Sequence, residues 1–82
     1  MKLSKFLESL RDYKSYGSVD LDVLHISDDS RKVKKGSLFV AVCGLTSDGH
    51  DFIDDVIKKG AVVVVGEKAP EKKWLKNVTY IR

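Results

Sequence analysis

Small polar and charged side chains stand on both sides of one apolar run. Asp29, Ser30 and Arg31 precede the run 37–42, and the loop 44–49, with the sequence GLTSDG, follows it. An apolar strand that leads into a glycine-containing loop and a helix start places amides and small polar side chains at the carboxyl end of a sheet. Open α/β folds bind ligands at that edge. The order of these segments therefore predicts a ligand site.

Several kinds of chemistry are excluded by missing residues. The loop has the two glycines of a phosphate-binding loop, but His50 and Asp51 stand where lysine and serine or threonine would hold phosphates and magnesium. No G-x-G-x-x-G follows a strand, and His25 and His50 lack spaced partners for zinc. Ser30 has no recognisable histidine base. We expect no catalytic residue, no metal site and no cofactor in this chain.

Length and composition predict one small globular domain. The chain has 82 residues, of which 43% are hydrophobic and 33% charged. Its apolar runs are far shorter than the ~20 residues of a membrane span, and no signal-peptide core follows Met1, so we expect a cytoplasmic protein without a membrane span. The net charge of +3 comes from scattered lysines with acids between them, which argues against nucleic-acid binding.

Hydrophobic periodicity predicts alternating strands and helices. A helix is expected from Leu3 to Leu10 behind Ser4 as N-cap, and another around Phe52 to Ile57, ended by Gly60 in a left-handed conformation. Strands are expected within 20–27, 37–42, 61–65 and 78–81, with a short helix in 70–76 that buries Trp74 and Leu75. Strand, helix and strand in the middle of the chain indicate a βαβ unit and an α/β fold.

Each polar feature also has a purely structural interpretation. An isolated D-S-R commonly forms an Asx turn with one surface ion pair. Residues 46–48 are typical of a solvated loop and a helix N-cap, and His50 is expected on the surface of the first helical turn rather than as a catalytic base. The aspartates of that helix complement its dipole more often than they bind a cation. Taken separately, none of these features decides function.

Together they form a long ordered pattern. D-S-R-x-V-x-x-G-x-L-F-V-A-x-x-G-x-x-x-D-G-H-x-F-I, followed by a helix ending in K-K-G-A-V-V-V-V, closely resembles the N-terminal domain of Mur ligases, and most of all the MurE group. The resemblance covers nearly the whole chain and is densest over 29–61. It implies a small mixed sheet of about four to five strands with two to three helices. In that family this domain holds the uridine diphosphate end of the substrate.

The resemblance also implies site residues. The uridine-nucleotide contacts fall on Asp28 and Ser30 and on Leu45, Thr46 and Ser47, while Asp29, Gly44, Asp48 and Gly49 are expected to be structural. Loop amides, carbonyls and hydroxyls match the edge of uracil, and Leu45 offers an apolar surface. Arg31 either supplies positive charge near the diphosphate or locks the turn through Asp29. The carboxylate of Asp28 departs from the family pattern, because it would repel a diphosphate unless it faced the ribose or solvent.

For the intact enzyme, the resemblance implies an ATP-dependent amide-bond ligase of peptidoglycan synthesis. Its substrate is UDP-N-acetylmuramoyl-L-alanyl-D-glutamate, and meso-diaminopimelate or L-lysine is added. ATP and Mg²⁺ belong to a central domain, the amino acid to a C-terminal domain, and this chain ends at Arg82, before the G-T-N-G-K-T/S loop of such enzymes. We therefore expect residues 1–82 to be the first of three domains. The alternatives are the same domain of a MurF-type ligase and a non-catalytic binding or adaptor module.

Overall fold

The computed structural model describes residues 1–42 and 48–82. These residues form two short helices, α1 (Leu3–Leu7) and α2 (Ile53–Lys58). The same part of the chain has five strands, β1 (Ser15–Tyr16), β2 (His25–Ser27), β3 (Ser37–Val40), β4 (Val63–Val65) and β5 (Thr79–Ile81). Single turns of 3₁₀-helix span Ser30–Lys32, Gly49–Phe52 and Trp74–Lys76.

The strands form one mixed sheet in the order β1-β5-β4-β3-β2. Strands β2 to β5 run parallel to one another, and β1 pairs antiparallel with β5 at the opposite edge. Helix α2 connects the parallel neighbours β3 and β4, as the predicted βαβ unit requires. The predicted fold class, a small mixed α/β sheet of about four to five strands with two to three helices, is confirmed. Because β2 to β5 are parallel, their carboxyl ends lie at one edge of the sheet.

Side chains alternate between the two faces of the sheet along each strand, and they form one buried cluster on each face. Phe39, Val64 and Tyr80 are register partners across β3, β4 and β5, and pack with residues of α2 such as Ile53 and Val56. The opposite cluster consists of Leu3, Leu7, Val23, Leu38, Val63 and Ile81, and includes the apolar side of α1. Covering both faces of a mostly parallel sheet explains why its strands read as nearly continuous apolar runs.

Gly60 ends α2 where only glycine fits. Its φ is +106°, and a Cβ there would lie 2.7 Å from Lys35 Cα. The Gly60 carbonyl also accepts from the Gly36 amide at 2.9 Å, which joins the turns that enter β3 and leave α2. The predicted left-handed conformation of Gly60 is confirmed.

Five details of the predicted elements are wrong. Helix α1 begins at Leu3 with Lys2 as N-cap, so Ser4 lies inside it, and it ends at Leu7 rather than Leu10. Strand β2 occupies only His25–Ser27, and the antiparallel β1 was missed because two residues give no periodicity. Trp74 is buried as predicted, but Leu75 is 37% exposed. Among the residues described, neither helix is long and apolar enough to span a membrane.

Candidate functional site

An open cleft of about 430 Å³ lies at the carboxyl ends of β2 and β3. Its walls come from the turn after β2, the end of β3 and the 3₁₀ turn before α2. The residues that line it are Asp28, Asp29, Ser30, Arg31, Phe39, Val42, Gly49 and Phe52. The cleft thus combines a polar and charged side with an apolar one, as ligand sites in α/β folds usually do.

The D-S-R turn is held by its own aspartate. Asp29 caps the turn Ser30–Lys32: its Oδ1 accepts from the backbone N–H of Arg31 at 2.9 Å and from Arg31 Nε at 3.1 Å. Arg31 Nη2 donates to the other carboxylate oxygen at 3.0 Å. These hydrogen bonds from Arg31, side chain first, lower the pKa of Asp29 to about 2. Of the two roles considered for Arg31, its contacts in the structure are those that lock the turn.

Ser30 stands in the cleft with both a hydroxyl and a neighbouring cation. Its backbone carbonyl accepts from Lys59 Nζ at 2.8 Å, which brings an ammonium group from the end of α2 to the D-S-R turn. Its hydroxyl makes no hydrogen bond to any residue within 1–42 or 48–82, and the residue is half-buried. Asp28 beside it is exposed and also lines an adjoining groove of about 560 Å³. Among the described residues of this wall, Ser30 therefore offers a hydroxyl without a hydrogen-bond partner.

Gly49 lies in the other wall of the cleft, in the turn that Asp48 caps. The Gly49 amide donates to the Val42 carbonyl at 2.8 Å, so the chain just after β3 is joined to the turn before α2. A Cβ on Gly49 would lie 2.6 Å from Val42 N, which explains glycine at this position. Asp48 caps the turn Gly49–Phe52 by accepting from the His50 amide at 2.9 Å. The predicted site residues Gly44, Leu45, Thr46 and Ser47 lie outside the described residues.

His50 was expected on the surface, and that expectation is wrong: the residue is 7% exposed. Its Nδ1 lies 2.6 Å from Asp48 Oδ1, and its Nε2 accepts from the amides of Glu67 at 3.1 Å and Lys68 at 3.4 Å. Lys68 Nζ contacts the second carboxylate oxygen of Asp48. Position in the first turn favoured exposure, but the ring lies between the ends of β3 and β4, which sequence spacing does not reveal.

Phe52 also lies differently from its predicted place. The helical stripe assigned it to the core with Ile53 and Val56, which are fully buried, whereas Phe52 is 38% exposed and lines the cleft. Val42, 51% exposed, lies on the same apolar side. An aromatic ring beside polar groups suits a ligand that has a flat ring and polar substituents.

The site is chemically suited to binding. Within residues 1–42 and 48–82, no three His, Cys, Asp or Glu side chains are grouped so that they could hold a metal ion. The cleft offers a free hydroxyl, backbone groups, the cations Arg31 and Lys59 nearby, and apolar surface. Such groups recognise an anionic ligand with a planar ring and do not by themselves make a nucleophile with its base.

Comparison of the sequence with protein families matches residues 22–81 to the Mur ligase family, catalytic domain. The UDP-N-acetylmuramoyl-L-alanyl-D-glutamate–2,6-diaminopimelate ligase of Cytophaga hutchinsonii is 54% identical over 66 residues, which are 80% of this chain and 14% of that enzyme. The enzyme of the same name from Clostridium tetani is 39% identical over 83 residues, covering 100% of this chain and 17% of its own length. The chain thus spans about one sixth of these relatives.

Two solved structures share the fold. MurF ligase from Thermotoga maritima, in complex with ADP, is 38% identical with a TM-score of 0.55, covering 58% of this chain and 11% of that one. MurF from Acinetobacter baumannii is 27% identical with a TM-score of 0.59, covering 68% of this chain and 12% of that one.

Proposed function

The chain belongs to the Mur ligase family, and we propose that it holds the uridine diphosphate end of UDP-N-acetylmuramoyl-L-alanyl-D-glutamate for a ligase that adds 2,6-diaminopimelate in peptidoglycan synthesis. The names of the curated relatives favour diaminopimelate over L-lysine as the amino acid. The solved MurF structures keep a MurF-type ligase as the second candidate, on the weaker ground of shared fold.

One observation carries the proposal: Asp28 and Ser30 border the same cleft as Val42 and Gly49, which stand on either side of residues 43–48. Val42 and Gly49, which are joined by a hydrogen bond, line the cleft together with Ser30. Asp28 and Ser30 are therefore close in space to Val42 and Gly49, which stand on either side of the segment that the family resemblance assigns to the nucleotide.

Each wall has a suitable part of the nucleotide to bind. In this proposal the Ser30 hydroxyl donates to a ribose or phosphate oxygen, and the ammonium of Lys59, which is bound to the Ser30 carbonyl, adds positive charge beside it. Phe52 and Val42 offer apolar surface to the uracil ring or the ribose. Leu45, Thr46 and Ser47 complete the uracil contacts in this proposal. The exposed carboxylate of Asp28 is best accommodated facing the ribose hydroxyls or solvent, away from the diphosphate.

Binding of this kind contributes to catalysis by position. Holding the nucleotide uses binding energy far from the reacting D-glutamate carboxylate to orient that group. The residues of this chain do not fit ATP and Mg²⁺, because Asp51 stands in a phosphate-loop position and the buried His50 is engaged by two backbone amides. We assign ATP and Mg²⁺ to the central domain of an intact, cytoplasmic enzyme, and the incoming amino acid to its C-terminal domain.

In that enzyme, ATP held by the central domain would supply the activation of the D-glutamate carboxylate, and the amine of diaminopimelate would then form the amide bond with it. No residue of 1–82 is assigned to these two steps. The role of residues 1–82 in this proposal is to hold the distant nucleotide, so that the D-glutamate carboxylate stays in place during both steps.

A titration of this chain with UDP tests the proposal. We expect backbone amide resonances of Ser30 and of residues 45–47 to shift in nuclear magnetic resonance spectra, with weak affinity because only the nucleotide end is bound. ADP is the matched control, since it carries the same diphosphate and ribose on another base. Equal shifts with UDP and ADP would show that the site does not recognise uracil, and no shifts with either would refute the proposal.

A further inference from the structure

His50 connects two loops that are distant in sequence. Through Nδ1 it contacts Asp48, at the end of the segment that follows β3, and through Nε2 it contacts the amides of Glu67 and Lys68, directly after β4. The ring is 7% exposed. We call Asp48, His50 and the two amides the histidine clamp. It lies at the same sheet edge as the cleft, because β3 and β4 are parallel neighbours.

The contacts of the clamp define its protonation. Two backbone N–H groups point at Nε2, so that nitrogen must present a lone pair and carry no proton. The proton therefore sits on Nδ1, from which it is donated to Asp48 Oδ1 across 2.6 Å. The clamp requires a neutral imidazole in one tautomer, held by an acceptor on one side and donors on the other.

The space for the ring depends on Gly66. A Cβ at that position would lie 2.7 Å from His50 Nε2 and 2.2 Å from the hydroxyl of Tyr80. The same hydroxyl donates to the Lys68 carbonyl at 2.7 Å, which holds the backbone that receives the imidazole. A buried side chain with this many fixed partners has little freedom to move.

We infer that His50 is a positioning residue for the nucleotide cleft, acting through Asp48, Gly49 and Phe52. Gly49 and Phe52 line the cleft, and they belong to the 3₁₀ turn that contains His50 and is capped by Asp48. Anchoring that turn to the end of β4 sets its distance from Ser30 on the opposite wall. This inference rests on the proposed function, because it names the uridine nucleotide as the ligand.

Protonation of His50 would open one side of the clamp. A proton on Nε2 would face the N–H groups of Glu67 and Lys68, so those two hydrogen bonds would be lost, while the contact with Asp48 would remain. The titratable or charged groups that surround the ring and its receiving loop are Asp48, Glu67, Lys68, Tyr80 and Arg82. Nucleotide affinity should therefore fall on acidification.

Two substitutions separate the halves of the clamp. His50→Gln keeps a carbonyl oxygen near the Nε2 position for the amides and loses the Nδ1 donor, whereas His50→Asn keeps a donor for Asp48 and loses the acceptor. We expect UDP to bind about five- to tenfold more weakly to His50→Asn, because the tie to β4 is broken, and less weakly to His50→Gln. Val56→Ala, a core variant remote from the clamp contacts, controls for lost stability and should bind UDP as the unchanged chain does.

The pH profile separates positioning from simple support of the fold. UDP affinity of the unchanged chain should fall on acidification within the pH range in which the chain stays folded, and His50→Gln should remove most of that fall. Uridine is titrated in parallel, because it has no phosphate that titrates. His25→Gln replaces the other histidine, which is exposed on β2, and should keep the full dependence.

The ring itself reports the clamp without any ligand. Its ¹⁵N chemical shifts should identify Nε2 as the unprotonated nitrogen at about pH 8, in a folded chain. Two results would overturn this inference and leave the proposed function standing. One is a proton on Nε2 at about pH 8, and the other is equal UDP affinity for the unchanged chain, His50→Asn and His50→Gln. If the unchanged chain binds no UDP, the proposed function falls, and the assignment of a nucleotide to this clamp falls with it.

Discussion

The turn before β3 and the turn after it are built alike but buried differently. In each, an aspartate accepts from the amide two residues later at 2.9 Å, Asp29 from Arg31 and Asp48 from His50. In each, the basic side chain of that same residue also binds the carboxylate. Yet the Arg31 side chain is 86% exposed, whereas that of His50 is 5% exposed.

The difference shows which features of the two turns depend on near neighbours in the sequence and which depend on the sheet. Two-residue spacing between a carboxylate and an amide is enough to cap a short turn, so D-S-R and D-G-H fold alike. What surrounds the basic group is decided by the strands: Arg31 follows β2, at the edge of the sheet, while His50 follows β3, beside β4. Within the described part of the chain, the basic side chain of the first turn hydrogen-bonds only to its own aspartate, although Lys59 Nζ also donates to the Ser30 carbonyl. The basic side chain of the second turn is instead tied to residues 17 and 18 positions away.

The largest effect should come from the strand that joins the two turns. Phe39 is 1% exposed and lies in the cluster under α2. Phe39→Ala should lower the free energy of unfolding by ~3–5 kcal/mol, most of the stability of a domain this small. Urea denaturation followed by circular dichroism measures it. Val42→Ala, at an exposed position of the same segment, should change little, and an unaltered midpoint for Phe39→Ala would place its ring outside the core.

The two aspartates should differ in their contribution to stability. Asp48→Ala removes a cap and leaves the buried Nδ1–H of His50 without its acceptor, so we expect a loss of about 2–3 kcal/mol. Asp29→Ala removes the same kind of cap from a more exposed turn and should cost clearly less than Asp48→Ala. Chemical denaturation of the two variants side by side measures the difference. Equal losses would mean that burial of the second turn adds nothing.

The D-S-R turn should matter more for the ligand than for the fold. Ser30→Ala removes a hydroxyl without partners among the described residues, so stability should hardly change. If that hydroxyl meets the diphosphate, UDP binding should weaken by ~1–2 kcal/mol, and uridine binding less. Calorimetric titrations with both ligands measure this, with exposed Ser4→Ala as control. Equal weakening of both ligands would assign Ser30 to the nucleoside.

The smallest effect concerns the acid titration of Asp29. Its folded-state pKa of about 2 lies below the ordinary value of 3.8, so its contribution to stability is present above that ordinary value and lost as pH falls through about 2. A ¹³C titration of the carboxyl group should show this low value. Arg31→Ala should raise the pKa, because Arg31 supplies the hydrogen bonds that lower it; a pKa that does not move would contradict the pairing.

Much of the fold followed from patterns a few residues long. Apolar runs located β3, β4 and β5, the stripe at Ile53 and Val56 located α2, and Gly60 marked its end. Strand β1 escaped prediction, because a two-residue strand exists only through its pairing with β5. Leu75 was misplaced for a related reason: a single 3₁₀ turn buries Trp74, whose indole N–H donates to Asp54 at 2.9 Å, and leaves its neighbour outside.

For the site, the sequence predicted residues of both walls of the cleft. It did not predict the His50 contacts that hold one of those walls. Ser30 and Asp28 do line the cleft together with Gly49, although their nucleotide contacts remain predictions. Nothing in the spacing of residues marked Phe52 as part of the cleft. Its place depends on the 3₁₀ turn that precedes α2, which rotates the ring out of the helical stripe.

By itself, then, the amino-acid sequence determined the α/β alternation, the two aspartate-capped turns and membership of the Mur ligase family, because each depends on near neighbours or on a long ordered pattern. Only the tertiary structure decided that His50 is buried and Arg31 exposed, and that the end of β3 is tied to the loop after β4. The physical reason is that parallel strands bring their carboxyl ends together across a helix. Which polar groups become partners there depends on strand order, and not on distance along the chain.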